Sequence, residues 1–345
     1  MDLAREFAQQ GHEVRFLLRR TRGELLSEAQ RRFQIVDLGA PRVRNVFIPL
    51  VRHLYRDRPD VLLAPMWPLS VIAPLAARLA VREIKVLTSE HGVISRQYAP
   101  RGKIHRVFLR ASAAMGYRLA HALVGVSSGV ARDMARLAFL PETSVHVIHN
   151  PVRGAGDKQM PDTSIAETLW GIRAGKRVLT VGRFKPVKNQ ALLLRAFARL
   201  ARETPATLML VGSGELEGDL RRLASRLGVS DRVIFAGFQP DPSPFYASTD
   251  LFVLSSNAEG LGNVVVEALA HGTPVVSTNC PYGPSEILEN GRWGRLVPVG
   301  DEQALAQAMH EALHDPPDPT ALRRRAADFA PEIAAKRYLE VLGLT

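Results

Sequence analysis

Short apolar runs alternate with stretches of helical period along most of the chain, the signature of parallel βαβ units. In the back half the strands read from this pattern are RVLTVG (177–182), TLMLVG (207–212), RVIFAG (232–237), LFVLSS (251–256), TPVVST (273–278) and GRLVPV (294–299). Helical patterns separate most of them, notably ALLLRAFARLARE (191–203) and LEGDLRRLASRLG (216–228). The front half gives EVRFLL (13–18), RFQIVDL (32–38), DVLLAP (60–65), IKVLTS (84–89), ALVGVS (122–127) and VHVIHN (145–150). The polar, Gly- and Pro-bearing stretch 151–176 reads as a linker between a first domain over 1–150 and a second over 177–328. The closing pattern PEIAAKRYLEVLG (331–343), within 329–345, is expected to pack back on the first domain. The expected architecture is α/β, two doubly wound Rossmann-like domains facing each other across a cleft.

One stretch carries chemistry. EGLGNVVVE places Glu259 and Glu267 eight positions apart with Gly260 and Gly262 just after the first. The glycines oppose helix there, whereas NVVVEALAHG continues as one from Asn263. The arrangement is strand, glycine loop, helix N-terminus, a ready place for a phosphate or polar ligand. It follows LFVLSS, and open parallel sheets bind ligands beyond the carboxyl ends of their strands. On the same edge, VGRFKPVKN (181–189) follows RVLTV and brings Gly182, Arg183 and Lys188. Two cations there suit a diphosphate, Arg as a planar fork and Lys as a point charge. Alone, such a loop is equally an ordinary solvated turn; beside the glycine loop it points to a nucleoside diphosphate. Glu267 then suits a ribose diol and Glu259 the group on the terminal phosphate, with the amides of Leu261, Gly262 and Asn263 facing the phosphates. A glycosidase would need both carboxylates flanking one bond; here they are assigned to opposite ends of a ligand.

Charge narrows the partner. The formal net charge is +11. Residues 1–150 hold 23 Lys and Arg against 12 Asp and Glu, so the whole excess lies in the first domain. Its cations are scattered, without an aromatic-interleaved basic run, so no nucleic-acid partner is expected. On charge alone an ordinary arginine-rich solvated surface is the favoured reading, with an anionic membrane surface as the alternative, and VRNVFIPLVRHLY (43–55) reads either as an interfacial patch or as core. The single cysteine, Cys280, excludes an internal disulfide and a cysteine metal cluster, reads as a small buried side chain, and suits a reducing cytoplasm. No Asp-x-Asp metal motif and no apolar run of membrane-spanning length occurs, and the amphipathic opening MDLAREFAQQGHEV lacks the apolar core of a signal peptide.

VGRFKPVKN, VGSGE (211–215), EGLGNVVVE with EALAHGTPVVST, and the closing helix together resemble retaining glycosyltransferases of family 4, with the GT-B fold. TSEHG (88–92) is similar to the loop that brings a histidine to the donor sugar, and VHVIHNPV (145–152) to the exit from the first domain. The resemblance implies a nucleotide-diphosphate sugar as donor and a glycan or lipid-linked acceptor. It implies no metal or other cofactor: Arg183 and Lys188 stabilise the departing diphosphate, Glu267 holds the ribose, Glu259 touches sugar hydroxyls and His91 meets the sugar near its reacting carbon. By the same likeness TNCPYGPSEIL favours a UDP-sugar over a GDP-sugar, in cell-surface polysaccharide or glycolipid synthesis at the inner face of the membrane. Family members open with a strand and glycine-rich loop, where this sequence begins at the helix DLAREFAQQGHEV. The first sheet is therefore expected to lack its central strand, leaving a groove or an unpaired edge. A nucleotide-sugar epimerase of the same fold, or a non-catalytic nucleotide-binding relative, are the alternatives.

Overall fold

In the first unit, Met1–Pro151 with Pro331–Thr345, the sheet is in two pieces. The computed structural model describes residues 1–23, 25–80, 83–98, 101–154, 161–172 and 175–344. Strands β1 (Arg15–Leu18) and β2 (Gln34–Asp37) pair in parallel. A separate parallel sheet contains β3 (Val61–Pro65), β4 (Lys85–Glu90), β5 (Ala122–Gly125) and β6 (His146–Val147), in that order.

The two pieces share their cores on both faces. On one, Leu17 and Leu38 pack with Leu50, Leu54, Leu62, Ala64 and Ala76. On the other, Phe7 and Val14 pack with Leu87, Val124 and Ile148, joined by Ala335, Tyr338 and Leu339 of the Pro331–Leu342 helix. Lys85 Nζ donates to Leu342 O at 2.7 Å, placing a cation on the negative end of that closing helix. The β1–β2 pair and the four-stranded sheet share these cores without pairing to each other, an interrupted sheet of the kind expected from the sequence. The segment 43–55 resolves as core: it becomes the Phe47–Asp57 helix, with Leu50 and Leu54 buried and only Ile48 and Tyr55 projecting outward among its large apolar residues.

The second unit, Val152–Ala330, has one continuous parallel sheet. Its strands are β7 (Lys176–Val181), β8 (Ala206–Val211), β9 (Val233–Gly237), β10 (Leu251–Leu254), β11 (Val275–Thr278) and β12 (Arg295–Val297). They lie in the order β12-β11-β10-β7-β8-β9. The chain runs one way from β7 to β9, then returns to the other side of β7 for β10, so the winding reverses between β7 and β10. At such a switch point the loops leave in opposite directions and open a crevice. The core is dominated by Leu192, Leu193, Leu194 and Phe197 of the Gln190–Leu200 helix against Leu208, Leu210, Val253, Leu305 and Met309. Within the stretch read as linker, 155–160 and 173–174 lie outside the described residues. Ser164–Trp170 is a helix of the second unit, its Trp170 buried with Nε1 donating to Ser248 Oγ at 3.0 Å.

Candidate functional site

The two loops singled out from sequence follow β7 and β10, the strands on either side of the switch point. After β7 the chain turns through Gly182 at φ +153°. It is braced from β8 by Gly182 N donating to Val211 O at 2.9 Å and Phe184 N to Ser213 O at 3.0 Å. The approach is too close for side chains: a Cβ on Gly212 would lie 2.1 Å from Gly182 O, and one on Gly214 2.5 Å from Phe184 O. VGSGE, named from sequence as part of the family likeness, is thus the brace of the cation loop. Phe184 is buried, which turns Arg183 outward at the surface. A 3₁₀ turn at Pro186–Lys188 leads to Asn189, whose side chain caps the next helix by accepting from Leu192 N at 3.3 Å.

Lys188 and Glu259 meet. Lys188 Nζ donates to Glu259 Oε1 at 2.6 Å, and Ser256 Oγ donates to the same oxygen at 2.6 Å. The loops are latched by backbone as well, with Asn257 N donating to Val187 O at 2.8 Å and Ser255 Oγ to Lys188 O at 3.0 Å. The Lys188–Glu259 pair is 24 % and 10 % exposed, enough shielding for each charge to need the other. The glycine loop then runs into the Asn263–Ala270 helix, with Gly262 at φ +93° before it. From behind, Gly283 at φ +96° presses on the loop so closely that a Cβ would lie 1.9 Å from Leu261 O.

Glu267, on that helix, is held by Tyr246, whose hydroxyl donates to Oε2 at 2.8 Å. Burial raises the Glu267 pKa above the usual carboxylate value and the Asp241 charge adds to this, while the Tyr246 hydrogen bond and Lys188 oppose it. The Tyr246 hydroxyl is pushed well above its ordinary value by burial first and by Glu267 second. Cys280 is buried, and burial with the nearby Glu259 charge raises its thiol to about 12, leaving no thiolate for chemistry at neutral pH.

His91 belongs to the first unit, just past the carboxyl end of β4. Its Nε2 lies 3.3 Å from Ser89 Oγ. Loss of hydration lowers its pKa, and a hydrogen bond with Asn150 works the other way. The adjacent Glu90 is almost wholly buried and takes hydrogen bonds from Ser70 Oγ at 2.6 Å, Tyr117 OH at 2.9 Å and Trp67 N at 3.1 Å. Three donors on one carboxylate fix the backbone from which His91 projects.

Arg183, Lys188, Glu259, Gly260 to Asn263 and Glu267 therefore gather at one sheet edge of the second unit, whereas His91 stands on the first. Sequence reasoning missed three partners: Ser256, Tyr246 and Asp241. Ser256 was legible in principle, three positions before Glu259; Tyr246, 21 positions from Glu267, was not. Among the described residues, no group of three or more His, Cys, Asp or Glu is placed to hold a metal ion. What the edge offers is two cations, helix-start amides and two separately held carboxylates, a set suited to an anion carrying hydroxyls at both ends.

Comparison with known proteins gives the family. A family model described as Glycosyltransferase Family 4 matches residues 1–153, and one described as Glycosyl transferases group 1 matches residues 175–315. The lipopolysaccharide core biosynthesis glycosyltransferase LpsE of Rhizobium meliloti is 33% identical over 305 residues, covering 86% of this chain and 80% of that protein. A Campylobacter jejuni enzyme named N-acetylgalactosamine-N,N'-diacetylbacillosaminyl-diphospho-undecaprenol 4-alpha-N-acetylgalactosaminyltransferase is 29% identical over 201 residues, 58% of this chain and 52% of its own. Among solved structures, Anabaena Alr3699/HepE in complex with UDP-glucose has a TM-score of 0.83 at 22% identity, covering 100% of this chain and 94% of that one. At that identity the likeness establishes the fold.

Proposed function

This chain belongs to the group 1, family 4 glycosyltransferases, and on that premise we propose that it transfers a sugar from a UDP-sugar, with retention, to a glycan or lipid-linked acceptor. The observation that carries the donor reading is the latched pair of loops at the β7/β10 switch point. There the ion-paired Lys188 and Glu259 stand beside a helix N-terminus, with Glu267 held separately by Tyr246. Transfer to a cell-surface glycan is supported by the lipopolysaccharide role in the name of the Rhizobium relative, and a lipid-linked acceptor by the diphospho-undecaprenol in that of the Campylobacter enzyme. The UDP preference is supported by the UDP-glucose bound to the Anabaena fold neighbour.

In this reading Lys188 and Arg183 neutralise the diphosphate as the C1–O bond breaks, where charge develops and preorganised cations and amides count most. Lys188 must turn from Glu259 to do so, and Glu259 is thereby released to accept hydroxyls of the sugar. The acceptor oxygen bonds to C1 on the face the diphosphate leaves, and its proton passes to the departing phosphate oxygen. Glu267, ionised, accepts from the ribose diol. His91 is the first unit's contribution, assigned to the sugar. No metal enters this scheme, and the work takes place at the inner face of the membrane.

The test is transfer itself: the full chain with UDP-glucose, UDP-galactose and UDP-N-acetylhexosamines, an extracted glycolipid acceptor, and UDP release with product anomer as readouts. An α-linked product from one of these donors supports the proposal. An inverted product, or turnover with GDP-sugars alone, overturns it.

A further inference from the structure

The Lys103–Leu119 helix of the first unit carries two apolar faces rather than one. At about 100° per residue, the buried Leu109, Ser112, Ala113, Gly116 and Tyr117 lie on one side of it. Ile104, Val107, Phe108, Ala111 and Met115 fall within a sector of about 100° on the other. That second face is open: Ile104 is 89% exposed, Val107 68%, Phe108 60% and Met115 47%. Cations line one flank. Lys103, Arg106 and Arg110 lie along it, with Arg101 just before the helix, while Arg118 rises within the apolar sector near the helix end. Arg110 sits 5.3 Å from the ring of Phe139, itself 69% exposed, and Arg118 donates to Phe139 O at 3.2 Å, so the apolar surface continues beyond the cations.

The chain around the helix is one-signed. Between Glu90 and Asp133 there are seven Lys and Arg (Arg96, Arg101, Lys103, Arg106, Arg110, Arg118, Arg132) and no Asp or Glu. Solvated helices ordinarily mix both signs on their outer face and do not present large apolar side chains in a row. A protein partner of mixed charge would leave these cations unmatched; a surface of anionic headgroups over acyl chains matches both halves of the pattern.

We propose that this helix, with Phe139, docks the protein on an anionic lipid bilayer, Ile104, Val107, Phe108 and Met115 entering the acyl boundary and the flanking cations resting on headgroup phosphates. The proposal deepens the membrane setting assumed in the functional reading above, but it stands on the first unit alone. It moves the membrane-facing surface away from 43–55, whose apolar residues are largely spent in the core.

Flotation of the full chain with vesicles tests it, using phosphatidylcholine alone and phosphatidylcholine with roughly one-third phosphatidylglycerol. Binding to the anionic vesicles only, weakened by about 0.5 M salt, is expected. Val107→Ser with Phe108→Ser, and separately Arg106→Glu with Arg110→Glu, should each lower partitioning by roughly tenfold or more. These positions are on the surface, so both variants should melt as the parent does and keep its stabilisation by UDP. Equal binding to neutral and anionic vesicles, or variants that bind like the parent, would overturn the proposal. So would a wild-type dimer that ignores vesicles and dissociates on the serine pair, since that would make the face a contact between two copies. Vesicle binding that persists in a chain unmoved by UDP would strike the donor reading and leave this one standing.

Discussion

The two units are built from the same βαβ grammar and finish differently. In the second, six strands run unbroken, and β8 is buried at every position. In the first, the sheet is in two pieces, and their edge strands β1 and β3 stay partly open: Arg15 is exposed, Phe16, Leu17 and Leu18 are half-buried, and Leu63 of β3 is 37% exposed. A strand flanked on both edges hides its backbone and both side-chain faces at once. A strand with one free edge hides neither fully, and its amides open to solvent at little cost. The loops proposed to hold the donor hang from the unbroken sheet, so their geometry rests on the better-buried strands.

That contrast can be broken in several ways. The largest effect should appear in native-state hydrogen exchange: amides of β7, β8 and β10 should exchange roughly 1,000-fold or more slowly than those of β1. Comparable rates in both would show that the divided sheet is closed in solution. Next in size, Phe197→Ala should cost the second unit about 3–5 kcal/mol in denaturant unfolding. Leu17→Ala, starting half-buried in the two-stranded piece, should cost the first about 1 kcal/mol. Equal losses would contradict the difference in packing.

A third prediction concerns the loops rather than the sheets. Gly283→Ala places a Cβ against Leu261 O and at a φ of +96°, so the glycine loop must move. UDP-sugar affinity should fall about tenfold or more by calorimetry, with the second unit's melting only modestly lowered. The smallest effect is one of pH. Glu267, its pKa raised chiefly by burial, holds a proton more tightly folded than unfolded. The stability from that proton is complete below the ordinary carboxylate range and is lost as pH rises through the raised value. The proposed ribose contact, which uses the ionised form, runs the opposite way. Affinity for a UDP-sugar, whose diphosphate has no proton to lose in this window, should decline a few-fold as pH falls through the raised Glu267 value. Glu267→Gln should bind weakly at every pH and show no such slope.

Much of this was legible in the sequence because parallel strands buried on both faces read as apolar runs whatever surrounds them. Glu259, Lys188 and Glu267 could be singled out as candidates because loop chemistry is local: glycines beside a strand end and a helix start announce themselves. What stayed hidden depends on approach between distant segments. Nothing in TNCPYGPSEIL says that Gly283 presses on Leu261, or in PSPFYAST that Tyr246 will hold Glu267. The Lys188–Glu259 pair was hidden for the same reason, since each was assigned to the ligand and not to the other. VRNVFIPLVRHLY and KIHRVFLRASAAMGYRL are alike in pattern, and only tertiary packing decides that the first is core while the second leaves an apolar face in water.

The central claim is that the β7/β10 edge is a nucleotide-sugar site in which Lys188 leaves Glu259 for the diphosphate. Isothermal titration of the full chain with UDP-glucose, beside Lys188→Ala and Glu259→Gln, tests it most directly. Saturable binding by the parent is predicted, with Lys188→Ala weaker by about 2–4 kcal/mol. Glu259→Gln, which frees the lysine without removing a hydrogen-bonding group, should bind UDP itself as tightly as the parent or more so. UDP-glucose bound equally well by the parent and Lys188→Ala would contradict the account, because the diphosphate would then lie somewhere other than at this edge.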